Sequence, residues 1–233
     1  LVAWENPVCV SPADAKKIGT DNSCVIAVTV NGRTLELTAF VMPGQPEGVL
    51  SVPVGYGRTG IGAVADGIGA NTYSLRTSKQ GMFLPVEAKK TLKVNNLACV
   101  QQHAMTDLLP VGQKRIQAEV PQLVVEGTLA DYRKHPALET RKVVSLSMFD
   151  ERTYNHGHQW GMAIDLTTCT GCSACVIACQ SENNVPVVGR DMVYRGREMQ
   201  WIRIDRYFKH DRDNPQAVHQ PVTCMHCENA PCE

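Results

Sequence analysis

The chain has 233 residues, enough for one or two domains with an ordinary buried core, and its 23 Lys+Arg balance 23 Asp+Glu to a formal net charge of zero. That balance offers no chain-wide attraction to nucleic acid or to an anionic membrane, so no nucleic-acid partner is expected. Hydrophobic residues make up 43%, yet no uninterrupted apolar run approaches the roughly 20 residues of a membrane span, and LVAWENPVCV lacks the basic start and apolar stretch of a signal peptide.

In chain order, SPADAKKIG carries the signals of a short helix: Ser11 as N-cap, Pro12 at the first helical position, Asp14 three residues after the cap and Gly19 as the stop. SCVIAVTVNGRTLELTAFV then sets two β-rich runs around Asn31-Gly32, the dipeptide that favours a type I′ hairpin. GVLSVPVGYG reads as a further strand leading into a glycine-rich loop. Residues 1–85 are therefore expected to form a small β-barrel or sandwich with a helical lead-in.

Gly55, Gly57 and Gly60 formally match G-x-G-x-x-G. A dinucleotide fold needs a helix directly afterwards, and Gly62, Gly67 and Gly69 disfavour one, so the Rossmann reading is rejected in favour of a flexible connection between barrel strands. Residues 86–155 carry weaker signals, a short helix in TLADYRKHP opened by Thr128 with Asp131 behind it, and read as a connecting segment. His156 and His158 in YNHGHQW read as solvated surface rather than metal ligands.

The pattern changes across residues 156–233. WGMAIDL is expected to form a short strand running into a cysteine loop, CVIACQSENN a helical turn ended by Asn183, Asn184 and Pro186, and REMQWIRIDRYF a strand; KHDRDNPQAVHQ reads as a loop. Of the ten cysteines, Cys9, Cys24 and Cys99 precede this region and read as small buried or incidental thiols; the other seven fall within it.

Cys169, Cys172, Cys175 and Cys179 follow C-x2-C-x2-C-x3-C, the run that ligates cubane iron-sulfur clusters. A loop wrapped round a cubane brings three thiolates to three irons, and its backbone amides offset the sulfide charge; the fourth thiolate lies on the following helix and usually serves the neighbouring cluster. Ferredoxins usually place Pro after that cysteine, where this chain has Gln180. Cys224, Cys227 and Cys232 form a second group, C-x2-C-x4-C. The chain stops before a further cysteine could complete that group, so the sequence is expected to be a segment of a larger polypeptide. Zinc held by Cys169, Cys172, Cys224 and Cys227 is the structural alternative, but it leaves Cys175, Cys179 and Cys232 unused. No adjacent base or nucleophile elbow marks any cysteine as a catalytic thiol.

CTGCSACVIACQSENNVPVVGRDMVYRGREMQWIRIDRYF, followed by QPVTCMHCENAPCE, resembles the four-cluster electron-transfer subunits that accompany molybdopterin oxidoreductases, most closely the iron-sulfur subunit of bacterial alternative complex III. Upstream, SPADAKKIG with VNGRTLELTAFVMPGQPEGVLSVPVGYGR resembles the last domain of a molybdopterin oxidoreductase catalytic subunit, a β-barrel that in active relatives grips the pterin dinucleotide.

The resemblance implies an α+β fold: a molybdopterin-oxidoreductase C-terminal-type β-barrel over 1–85, a connecting segment over 86–155 and a bacterial-ferredoxin-like iron-sulfur domain over 156–233, incomplete at its C-terminus. It implies ligation of one cluster by Cys169, Cys172 and Cys175, of a second by Cys179 and of a third by Cys224, Cys227 and Cys232. The clusters would be 4Fe-4S, with a 3Fe-4S type open for one of them. Gly55, Tyr56, Gly57, Arg58 and Asn71 fall where active relatives approach the pterin, but no molybdopterin is expected here, and a retained scaffold is the favoured reading.

The implied function is electron relay, from a membrane quinol-oxidising subunit through the clusters to cytochrome c subunits of the same complex. The expected location is peripheral, on the outer face of the cytoplasmic membrane, reached through partner subunits. Arg195, Arg197, Arg203 and Arg206 read mostly as a solvated strand face, with tuning of cluster potential or docking of an acidic partner as their functional alternative. The electron-transfer part of a true molybdenum oxidoreductase, of the polysulfide reductase or formate dehydrogenase type, and a zinc-stabilised interaction module remain open.

Overall fold

Ser11 and Gly19 set the limits of the first helix, α1 (Pro12–Ile18), in the computed structural model, which describes residues 2–63, 65–78, 81–100, 126–136, 148, 157–158, 161–197, 200–209 and 214–224. The Ser11 side chain accepts the Asp14 N–H at 3.0 Å and donates its hydroxyl to the Asp14 carboxylate at 2.7 Å. That carboxylate also accepts the Gly48 N–H at 2.7 Å, so the cap fastens a distant loop as well. Gly19 ends the helix in the left-handed region, its N–H returning to the Ala15 carbonyl.

Before α1 lie β1 (Val2–Ala3) and β2 (Val8–Val10); after it come β3 (Cys24–Val30) and β4 (Arg33–Val41). Asn31 and Gly32 both take positive φ, 51° and 75°, as a type I′ turn requires, and β3 and β4 pair antiparallel from Val25↔Thr38 to Val30↔Arg33. Two more strands, β5 (Glu87–Val94) and β6 (Ala98–Cys99), follow the glycine loop. The main sheet has the order β2-β4-β3-β5, with β2 parallel to β4, while β6 pairs with β1. Alternation along β3 buries Ile26, Val28 and Val30 against Val8, Val10, Leu37, Ala39 and Leu75. Ile26, Val8 and Val10 are fully buried, each contributing about 1.5–3 kcal/mol of transfer free energy.

No closed barrel is found among the described residues, where a small β-barrel or sandwich was expected. The expected strand in GVLSVPVGYG supplies one isolated bridge, Ser51 to Cys9. Pro53 has no N–H to give a ladder, and its carbonyl is taken instead by the Asn6 amide and the Thr72 hydroxyl, both at 3.1 Å. Leu50 and Val52 still pack against the core, which explains the strand-like pattern without a strand. The fourth strand of the sheet, β5, lies past residue 85 and is crossed by a register shift opposite Cys24 and Ile26.

The short helix α2 (Leu129–Lys134) has the capping box expected of Thr128 and Asp131. In the cysteine region follow α3 (Ala174–Glu182) and α4 (Arg190–Tyr194), then β7 (Arg203–Lys209) and β8 (Gln216–Val222), a two-stranded antiparallel sheet. Two expectations are corrected here. Residues 161–165, within WGMAIDL, form no strand, and QAVHQPV, expected as loop followed by cysteine motif, is strand β8. Among the described residues β8 pairs with β7 alone, a position in which Pro221 is tolerated.

The cysteine region meets the preceding unit at several points. Helix α4 lies against β6, and a Cβ on Gly44 would come within 3.0 Å of Pro215 at the foot of β8. Arg190 at the start of α4 reaches Glu5, Asn95 and Asn96.

Candidate metal centre

Asp165 begins the cysteine loop by folding the chain over itself. Its carboxylate accepts the Thr167 hydroxyl at 2.6 Å and the Thr167 N–H at 2.9 Å, and its carbonyl accepts the Cys169 N–H at 3.0 Å. The Thr167 hydroxyl, then the Thr167 amide, hold the Asp165 carboxyl below its usual range. Gly171 and Ser173 next take positive φ, 67° and 63°, and curl the segment before α3 begins. Ser173 makes no side-chain cap.

The first turn of α3 bears on Cys172. The Ala174 N–H, followed by the Thr170 hydroxyl, hydrogen-bonds to its sulfur and pulls the thiol below its usual value. A helix N-terminus favours thiolate in this way. Cys172 and Cys175 are exposed, and Cys169 and Cys179 are half-buried. Asn183, which closes α3, places its side-chain amide on both the carbonyl and the sulfur of Cys179, at 3.0 and 3.6 Å. The four free thiols thus sit on one loop and the helix it opens. Among the described residues no three His, Cys, Asp or Glu side chains converge as a metal site. Cys224 is exposed just past β8, while Cys227, Cys232 and His156 lie outside the described residues; His158 is exposed.

Behind the loop stands β8. The His219 ring nitrogen Nε2 lies 2.8 Å from the Cys169 carbonyl, and its ring carbons would lie 3.4 Å from a Cβ on Gly171. A cleft of about 530 Å³ separates the loop from β7, lined by Thr170, Gly171, Val176, Arg203, Arg206 and His219. Arg203 donates to both oxygens of Asp205, at 3.0 and 3.2 Å, which also receives the Tyr207 hydroxyl at 3.2 Å. Burial, then the Asp205 charge, raises the Tyr207 phenol, and burial lowers the Arg206 guanidinium. Arg195 and Arg197 flank the turn after α4, away from this lining.

The other described cysteines lie apart from the loop: Cys9 in β2 and Cys24 in β3 of the four-stranded sheet, and Cys99 in β6 beside β1. Burial raises the thiols of Cys9 and Cys99, keeping them protonated, and Cys24 donates to Asp21 at 2.8 Å.

The glycine loop is folded onto itself. The Gly57 N–H reaches the Ile68 carbonyl at 2.8 Å and the Gly67 N–H the Arg58 carbonyl at 3.0 Å, and described residues from 61 to 70 form turns and bends, not a helix. Asn71 uses its side chain to cap the 3-10 turn Thr72–Leu75. Trp4, Gly55, Tyr56, Arg58, Ile68 and Gln180 line a cleft of about 700 Å³ between this loop and α3.

His219 and Arg190 were not visible as site residues in the sequence. The partners they meet lie 50 and up to 185 positions away, and neither belongs to a spaced motif.

Residues 168–233 match the 4Fe-4S dicluster domain family, and this region carries iron-sulfur clusters. The donor set fits them: four soft thiols on a glycine-turned loop, one of them biased to thiolate by a helix amide. The chain is 34% identical over 90 residues to the Hdr-like menaquinol oxidoreductase iron-sulfur subunit 1 of Archaeoglobus fulgidus, covering 32% of this chain and 32% of that protein. It is 35% identical over 78 residues to the menaquinone reductase iron-sulfur cluster-binding subunit of Nitratidesulfovibrio vulgaris, covering 32% and 29%. With a polysulfide reductase chain of Wolinella succinogenes it shares 36% over 74 residues, covering 32% and 35%. The matched stretch thus spans about a third of the length of each of these curated relatives.

Proposed function

We propose that the chain is the electron-transfer part of a membrane-associated quinol-oxidising complex of the alternative complex III type. The observation that carries the reading is the dicluster match over residues 168–233, with Cys169, Cys172, Cys175 and Cys179 on one loop-helix unit. When bound, 4Fe-4S clusters accept and pass single electrons at potentials set by their surroundings. The protein holds the thiolates in place, supplies amide hydrogen bonds such as that from Ala174, and limits water.

In this proposal Cys169, Cys172 and Cys175 hold one cluster, Cys179 a second, and Cys224, Cys227 and Cys232 a third, with one cluster of the 3Fe-4S type left open. The first unit, a molybdopterin-type domain at 1–85 followed by the connecting segment 86–155, is a retained scaffold without pterin. The iron-sulfur domain spans 156–233. Electrons would come from a membrane quinol-oxidising subunit and leave to cytochrome c subunits. Among the described residues no helix is long and apolar enough to cross a membrane, and the proposed attachment is peripheral, on the outer face and through partners.

Likeness to the polysulfide reductase of Wolinella succinogenes favours a second reading, in which the same relay serves a molybdenum oxidoreductase. The test is metal and acid-labile sulfide analysis with low-temperature EPR on the intact complex purified without oxygen. Several irons per chain with matching sulfide, reducible signals and no molybdenum support the quinol-oxidising relay. Stoichiometric molybdenum selects the second reading, and zinc without sulfide overturns both.

A further inference from the structure

We propose that His219 is a positioning residue for the cluster loop, fixing the peptide between Cys169 and Thr170 so that its N–H serves the cluster. A carbonyl can only accept, so the 2.8 Å contact is a donation from His219 Nε2–H to the Cys169 oxygen, and the ring carries its proton on that nitrogen. The described peptides are all trans, so the Thr170 N–H points to the opposite side of that peptide plane from the oxygen. Holding the oxygen towards β8 therefore turns the N–H away from β8. Cys172 and Cys175 are exposed, so β8 does not cover them.

A second contact restrains the same loop. Gly171 has a positive φ of 67°, and a Cβ there would sit 3.4 Å from two His219 ring carbons. The imidazole thus bounds the loop by packing as well as by its hydrogen bond. His219 is itself held in β8, opposite Arg206 of β7, so the positioning group stands on paired strand rather than on the loop it orients. Amide N–H groups aimed at cluster sulfur raise the reduction potential, because they stabilise the added negative charge.

This inference rests on the cluster reading, and its test separates the two. His219→Gln keeps a side-chain N–H donor; His219→Met occupies similar space without one. Both are made in the full-length chain within its intact complex, and redox-poised low-temperature EPR is recorded with iron and sulfide counts. The expected result is a wild-type line shape and potential for His219→Gln. For His219→Met, one signal should move to more negative potential with altered g-values while the other signals stay in place. Glutamine and methionine variants that behave alike, whether both normal, both shifted or both short of iron, overturn the positioning role. A wild-type complex without iron and labile sulfide overturns the cluster reading itself.

Discussion

Arg190 in α4 donates from Nε to Oε1 of Glu5 at 2.6 Å across a separation of 185 residues. Its Nη2 also reaches Glu5, and meets the Asn96 carbonyl at 2.6 Å and the Asn95 side-chain oxygen at 3.2 Å. Asn95 in turn donates to Glu5 at 2.7 Å and to the Thr38 hydroxyl at 2.9 Å. One guanidinium thereby ties the cysteine region to the link between β1 and β2 and to the turn between β5 and β6, and through Asn95 to β4.

Removing that guanidinium leaves Glu5, whose side chain is only 14% exposed, with fewer donors. Arg190 is 31% exposed, so solvent screens part of the pair. Arg190→Ala should lower stability by about 2 kcal/mol, in line with loss of hydrogen bonds to a charged group. Arg190→Lys should recover only part of this, since an ammonium cannot span three acceptors in one plane. Urea unfolding of the full-length chain reads both, and an alanine midpoint equal to wild type would show that the clasp adds no net stability.

Gly57 and Gly60 share a positive φ, 69° and 74°, but not the same surroundings. A Cβ at Gly57 would lie 2.3 Å from the Asn71 nitrogen, whereas one at Gly60 meets nothing within 4 Å. Gly60→Ala should cost about 1 kcal/mol of backbone strain. Gly57→Ala adds a backbone collision and should cost at least about 2 kcal/mol. Thermal unfolding of the two variants side by side checks the ranking; equal losses would contradict it.

Ile26 sits at the centre of the four-stranded sheet with no exposed surface. Ile26→Ala should remove about 2–5 kcal/mol, and Ile26→Val about 1 kcal/mol, because neighbouring strands cannot collapse into the space. Denaturant titration that found the alanine variant within 0.5 kcal/mol of wild type, a roughly surface-like effect, would mean the site is not packed as described.

The cysteines should divide into two classes on chemical analysis. Cys169→Ser or Cys172→Ser should reduce iron and labile sulfide per chain in the intact complex, since a hydroxyl is a poorer, harder ligand for cluster iron. Cys24→Ser should leave both unchanged, because a hydroxyl can replace the thiol that donates to Asp21 at 2.8 Å. Iron loss in the Cys24 variant would join that residue to the metal chemistry.

Features written by neighbouring residues were legible in the sequence. The Ser11–Asp14 cap, the Asn31-Gly32 turn and the Thr128–Asp131 box each close within a few residues, so local pattern and final structure coincide. Cys169, Cys172, Cys175 and Cys179, read from their spacing alone, lie on one loop and the helix it opens. β5 was not legible: EAKKTLKV has only Ala88 and Thr91 half-buried, and its pairing with β3 is interrupted by a register shift. β8 was hidden by Pro221 and by polar residues that its partner β7 makes tolerable. His219 and Arg190 acquire their roles only from distant segments that the fold delivers to them.

β5 also decides how the first sheet meets other molecules. Among the described residues it pairs with β3 alone, which makes it the outer strand of that sheet. Lys89 and Lys90 are exposed on that strand, and Lys93 is joined to Glu36 at 2.5 Å. A second copy approaching edge to edge would bring cation against cation before any ladder bond could form. Lysines on an outer strand disfavour such edge-to-edge pairing.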